Sequence, residues 1–195
     1  MSDSRQRCPW SLGVSEAYQA YHDQEWGVPA RDDRTQFEFL LLEGAQAGLS
    51  WSTVLHKREG YRKAFADFDP VKVSRFTDKR LEKLAQNPAI IRNRLKIAAA
   101  RTNARAFLEV QDEFGTFSDY IWGFVDGRPV QNKWRTESRV PATSKISDLL
   151  SKDLKKRGFK FVGSTIIYAH MQATGMVNDH IAGCYRYQKC ADLAG

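Results

Sequence analysis

Two pairs of metal-binding side chains lie near opposite ends of a 195-residue chain. In "NDHIAGC", His180 and Cys184 stand four residues apart, a spacing at which an imidazole and a thiolate can reach one ion. Cys8 and His22 supply a second pair near the start. Together they form a two-cysteine, two-histidine set suited to one tetrahedral zinc ion. Four protein ligands leave no position for an activated water, so such an ion would be structural. It would clip the first segment, about residues 8–22, to the last, about 180–184. Spacing leaves open that His22 is an interfacial side chain and that the cysteines are ordinary buried thiols. Three cysteines, an odd number, argue against a disulfide framework, and Cys190 is left without a role. His56 lies in a charged run, and His170 is expected to pack on a helix.

A second candidate for chemistry is the carboxylate in "FEFLLLEGAQAGLSW", residues 37 to 51. On a helical wheel Phe37, Leu40, Leu41, Gly44, Ala45 and Gly48 share one apolar face, and Glu43 falls at its edge. A carboxylate there must reach water, be paired, or do chemistry. On position alone, a boundary glutamate reaching water is the commoner outcome. Around it in sequence stand Trp10, Tyr18, Tyr21, Trp26 and Trp51. Aromatics at helical spacing usually form core. Aromatic faces with one carboxylate, in a basic protein, also make a nucleobase pocket, because stacking holds a flat ring while the carboxylate accepts its N–H groups.

The elements that must position these residues read as helices. Ser15 can cap a helix over residues 16–24, which Gly27 and Pro29 end. Asp33 can cap the helix that carries Glu43, and Ser50 one running through "WSTVLHKRE". "DP" at 69–70 and "NP" at 87–88 each place a capping residue before proline, a helix-start signature. Residues 94–114 form one long helix stopped by Gly115, and further helices run from Thr143 or Ser144 to Arg157 and from about Ser164 to Thr174. Residues 123–144 are the least regular stretch. No strand pattern is evident. The expected fold is all-α, in two lobes with the chain ends meeting in one of them.

Charge points to the partner. Net charge is +7 and the pI about 9.4, a balance that favours nucleic acid. Between two helical patterns, the link "NPAIIRNR" offers backbone N–H groups to a phosphate, with Arg92, Arg94 and Lys96 beside it. Lys152, Lys155, Lys156, Arg157 and Lys160 make a second basic cluster, more simply read as a solvated face. No apolar run reaches membrane-helix length, and the first residues lack a signal-peptide core, so a cytoplasmic protein without a membrane partner is expected.

"YHDQEWGVP", "LEGAQAGLSW", "TVLHKRE", "FDPVKV", "IIRNRLKI", "LKKRGFKFVG" and "GMVNDH" occur in that order between Arg7 and Cys184. In this the chain resembles the 3-methyladenine DNA glycosylase I family of the helix-hairpin-helix superfamily. The resemblance implies a single glycosylase domain over residues 1–195, with its hairpin element at about 78–107. It implies zinc on Cys8, His22, His180 and Cys184, and a base pocket of Tyr18, Tyr21, Trp26 and Trp51 with Trp10 nearby. Glu43 would read the base, while Gly48 and Leu49 would fill the gap it leaves in the duplex. Arg92, Arg94 and Lys96 would contact DNA. The implied activity is hydrolysis of the N-glycosidic bond of 3-methyladenine in double-stranded DNA, by a monomer that leaves an abasic site and releases free 3-methyladenine. A non-catalytic zinc-stabilised DNA-binding module of the same fold is the alternative. One departure from the superfamily pattern is visible: "NPAIIRNR" contains no glycine.

Overall fold

The structure, a computed structural model, describes residues 5–193. The helices are α1 (Glu16–Gln24), α2 (Asp33–Gln46), α3 (Trp51–Leu55), α4 (Arg58–Ala64), α5 (Pro70–Ser74), α6 (Asp78–Leu84), α7 (Arg94–Phe114), α8 (Phe117–Trp122), α9 (Lys145–Lys156), α10 (Ser164–Ala173) and α11 (Tyr185–Asp192). Most begin at a side-chain cap. Ser15, Asp32, Ser50, Asp69 and Asn93 each accept the backbone N–H three residues on, and Ser144 and Ser147 cap each other reciprocally. Gly115, at φ 87°, closes α7. None of the described helices is long and apolar enough to cross a membrane.

Several boundaries differ from the sequence reading. Asp32, not Asp33, caps α2. Asp33 instead accepts the backbone N–H groups of Phe117 (2.9 Å) and Ser118 (2.8 Å), placing an anion at the start of α8. The expected helix over "WSTVLHKRE" is two, because α3 ends at Leu55 and α4 starts afresh at Arg58. No helix starts at Asn87-Pro88. Asn87 Oδ1 accepts from Ala89 N at 2.9 Å in a turn, and the next helix waits for Arg94. That link lies directly on α4. A Cβ added to Gly60 would come 2.1 Å from the Ala89 carbonyl oxygen, so only glycine lets the two backbones meet.

Helix α2 is the central element, packed by α3, α7, α8 and α10. Every residue from Gln36 to Ala45 is buried, so the helix is enclosed all round rather than on one face. A continuous apolar core runs from Tyr21 to Val177, and Cys8, Ile181 and Cys184 form a small cluster of their own. The stretch 123–144 is irregular but anchored. Val130–Gln131 (β1) pairs in parallel with Val177–Asn178 (β2), a two-residue sheet absent from the sequence reading. Further along, the Trp134 carbonyl accepts from Ala182 N at 2.8 Å. The segment is thereby held against the residues flanking His180.

Candidate active site and metal cluster

The segments that carry Cys8 and His22 do meet those that carry His180 and Cys184. Cys8, His22, His180 and Cys184 are all buried, and one ligand atom from each lies within 4.8 Å of the others. His22 Nδ1 is 2.8 Å from Asp23 Oδ1, and a carboxylate there accepts, so Nδ1 carries the proton and Nε2 keeps its lone pair. His180 is the reverse. Its Nε2 donates to the Trp26 carbonyl at 3.0 Å, which frees Nδ1. The freed nitrogens face sulfur at 3.5 Å (His22 to Cys184), 3.5 Å (His180 to Cys8) and 3.6 Å (His180 to Cys184). Metal–ligand bonds of about 2.0–2.3 Å at tetrahedral angles require donor–donor edges of about 3.3–3.8 Å. These three edges match that range and the whole donor set lies within 4.8 Å, so the four side chains can hold one metal ion with a small closing movement.

All three cysteines are free thiols. The neighbouring Cys184 and burial raise the Cys8 thiol, while Cys8, His180 and His22 lower that of Cys184. Burial works against charge on Asp23, yet hydrogen bonds from Arg7, His22 and Tyr185 outweigh it and hold the carboxyl at about 2. Gly27, at φ 78°, sits against the cluster, where an added Cβ would lie 3.1 Å from the His180 ring.

Beside the cluster opens a cleft of about 340 Å³, to which Cys8 also contributes a wall. Helix α1 gives it Tyr18 and Tyr21, α2 gives Glu43 and Gln46, and α3 gives Trp51; Trp10 and Trp26 complete the set of five aromatics expected from the sequence. They form two groups. Trp10 lies 5.5 Å from Tyr18 and 5.0 Å from Trp26, while Tyr21 lies 5.2 Å from Trp51 with Phe39 behind both.

Glu43 does not reach bulk water as a boundary residue would. It is 4% exposed. Among the described residues no donor reaches its carboxyl, and burial pushes it up to about 8. Burial and the nearby Glu43 raise Tyr18 and Tyr21 as well. Trp51 Nε1 is likewise buried without a partner, so the cleft holds an unused acceptor and an unused donor.

Some cleft residues escaped the sequence reading: Gln46, Glu137, Val140, Gln172 and Asp179. Asp179 is buried and accepts from Asn132 (2.7 Å), Trp134 (2.7 Å), Tyr168 (2.7 Å) and Gln172 (2.9 Å), tying residues 132–134 and α10 to the cleft wall. Its place beside His180 in "GMVNDH" was the available signal. Among the described residues, three carboxylates and no lysine or arginine line this cleft, in a chain of net charge +7.

The residues expected at DNA are spread differently. Gly48, at φ 77°, and the exposed Leu49 form the turn between α2 and α3, next to a second opening that Glu43 and Gln46 share. Arg92 and Arg94 are exposed at the start of α7. Lys96 is not an open contact: its ammonium donates to the carbonyls of Ala45 (2.8 Å) and Ala47 (2.5 Å), closing the C-terminus of α2, and burial lowers its pKa. Arg157 is engaged by Glu113 and Asp153, as suits a solvated face.

Fold and cleft define a helical protein with an aromatic, acid-lined pocket beside a buried cysteine–histidine cluster. Residues 10–187 match the family described as methyladenine glycosylase. DNA-3-methyladenine glycosylase 1 of Escherichia coli (strain K12) is 51% identical over 182 residues, 93% of this chain and 97% of that protein. The DNA-3-methyladenine glycosylase of Haemophilus influenzae is 47% identical, over 91% of this chain and 96% of that one. A crystal structure of 3-methyladenine DNA glycosylase I superposes with a TM-score of 0.90 at 51% identity, covering 92% of this chain and 98% of the other. The Staphylococcus aureus enzyme, solved to explain 3-methyladenine recognition, gives 0.89 at 34%, covering 94% and 97%. The chain belongs to the methyladenine glycosylase family.

Proposed function

We propose that this chain is a DNA-3-methyladenine glycosylase. It draws a 3-methyladenine nucleotide out of duplex DNA, holds the base in the aromatic cleft, and hydrolyses its N-glycosidic bond to leave an abasic site. The observation that carries this reading is Glu43, buried among aromatic rings and, among the described residues, unpaired in a cleft with no cationic side chain.

Alkylation makes the adenine of the nucleotide cationic. A cation is attracted by the ring faces of Tyr18, Tyr21, Trp10, Trp26 and Trp51 and by an ionised Glu43. Its arrival drives Glu43 to release the proton that burial favours in the free protein. Glu43 then accepts N–H groups of the base. The base leaves as a neutral molecule and needs no general acid, so extrusion, stacking and Glu43 supply the catalysis, and water completes hydrolysis. Among the described residues no lysine lines the cleft, so no Schiff base forms and the strand stays intact.

Helix α6, the link at 85–93 and α7 act as the helix-hairpin-helix element. Arg92 and Arg94 contact phosphate, and Leu49 with Gly48 occupies the gap left in the stack. Cys8, His22, His180 and Cys184 hold one zinc ion, whose chemistry is structural, since all its positions are taken by protein. The reading carries with it a cytoplasmic monomer acting on double-stranded DNA. A non-catalytic DNA-binding module would share the charge and the cluster. It would leave the burial of Glu43 uncompensated.

The test is titration of free 3-methyladenine into the zinc-loaded protein, followed by tryptophan emission. A charged hydrogen bond contributes about 1.5–3 kcal/mol, so Glu43→Ala should bind roughly ten- to a hundred-fold more weakly. Failure of the unaltered protein to bind the base at millimolar concentration would refute the pocket.

A further inference from the structure

The two imidazoles of the cluster are fixed from outside it. Asp23, the acceptor for His22 Nδ1, is itself gripped by Arg7 through Nε (2.9 and 3.1 Å) and Nη2 (2.8 Å), and Arg7 is buried. Arg7 adjoins Cys8 and Asp23 adjoins His22, so one ion pair braces both N-terminal ligands. On the opposite side His180 donates to the Trp26 carbonyl, and the Trp26 ring stands edge-on to His180 at 4.6 Å. The Trp10 ring lies 5.0 Å from both His22 and Trp26. One wall of the base cleft therefore rests on the two imidazoles.

We infer that Arg7–Asp23 and the Trp26 carbonyl are positioning groups that couple metal occupancy to the shape of the Trp10–Trp26 wall. The inference rests on the metal reading above. With an ion bound, two lone pairs and two sulfurs converge on it, and the outer partners hold each ring in the tautomer the ion needs. Without it, among the described residues, His22 Nε2 keeps only a long bond from the Cys8 backbone N–H (3.4 Å) and a sulfur contact at 3.5 Å, and His180 Nδ1 only sulfur contacts at 3.5 and 3.6 Å. The rings then relax, taking the Trp26 peptide and the packed Trp10 ring with them. Asp23 sets how tightly the metal is held, and the metal sets whether the wall is formed.

The experiment uses the full chain in zinc competition against a chromophoric chelator, with circular dichroism, tryptophan emission and affinity for 3-methyladenine read on the same samples. Asp23→Ala should hold zinc roughly 10- to 100-fold more weakly, with Asp23→Asn, which keeps an acceptor, in between. At saturating zinc both variants should bind 3-methyladenine like the unaltered protein. As zinc is withdrawn from the unaltered protein, emission should shift and base affinity should fall in step with occupancy, while most helicity remains. That measurement needs no variant to fold. Zinc affinity in both variants within twofold of the unaltered protein would overturn the role of Asp23. Zinc withdrawal that leaves emission and base affinity unchanged would overturn the coupling. An unaltered protein that takes up no zinc would remove the metal reading and the inference together, a result distinct from either.

Discussion

Glu43 is a carboxyl whose burial the fold does not compensate. Its pKa in the folded chain, about 8, lies above the ordinary 4.5. Between those values the unfolded chain carries the charge and the folded chain does not, so folding loses stability as pH rises from about 5 and the loss levels off above about 8. Glu43→Gln should therefore melt higher than the unaltered protein, with a gap that widens between pH 5 and pH 8 to the order of a few kcal/mol. Thermal melts at the two pH values check this, and a gap that stays flat with pH would count against the buried carboxyl. Glu43 was legible because a charge in an apolar run is conspicuous, although its depth was not, since periodicity shows one face and α2 is covered on all of them. Lys96 misled for the converse reason. A basic side chain beside a hairpin looks available, and only packing reveals the two α2 carbonyls that occupy it.

Helix starts were legible where Ser15, Ser50 and Asp69 each cap their own helix, but not at α2, which Asp32 caps in place of the expected Asp33. Asp33 was misassigned because its side chain serves a helix about eighty residues away, which no local pattern encodes. The approach of α4 to the link at 85–93 was equally hidden. Gly60 is an unremarkable residue in sequence and a contact point in space. Gly60→Ala should destabilise the chain by about 1–3 kcal/mol, the usual effect of forcing atoms into a filled site. It should also weaken duplex binding by displacing the hairpin, while affinity for the free base, which the cleft alone determines, stays as it was. Denaturation together with the two binding titrations checks this, and equal losses on DNA and base would show that the hairpin is not separately at fault.

The whole molecule sets a basic exterior against a cleft lined by Glu43, Glu137 and Asp179. Composition disclosed the first and suggested a nucleic-acid partner. The second emerges only when α1, α2, α10 and the segments at 137–140 and 176–182 converge. Arg92→Ala and Arg94→Ala should each weaken binding to any duplex, and each should reduce the slope of log affinity against log salt by about 1. Titrations on methylated and unmethylated DNA should show the same loss on both, because a phosphate contact carries no information about the base. The meeting of residues 8–22 with 180–184 was suggested by four residue types, though their spacing left it open and the family resemblance was needed to expect it. That the same closure carries one wall of the cleft was not legible, since it depends on which nitrogen of each imidazole faces outward.

The most direct measurement is release of free base from methylated duplex DNA, with the zinc-loaded protein and Glu43→Gln compared in single-turnover conditions. The expected result is release of 3-methyladenine by the unaltered protein, leaving abasic sites in unbroken strands. The variant should be slower by roughly tens of fold, the effect of losing about 2 kcal/mol at one charged hydrogen bond, with duplex binding intact. A folded, DNA-binding, zinc-loaded protein that releases no base would contradict the account, as would a variant that releases it just as fast.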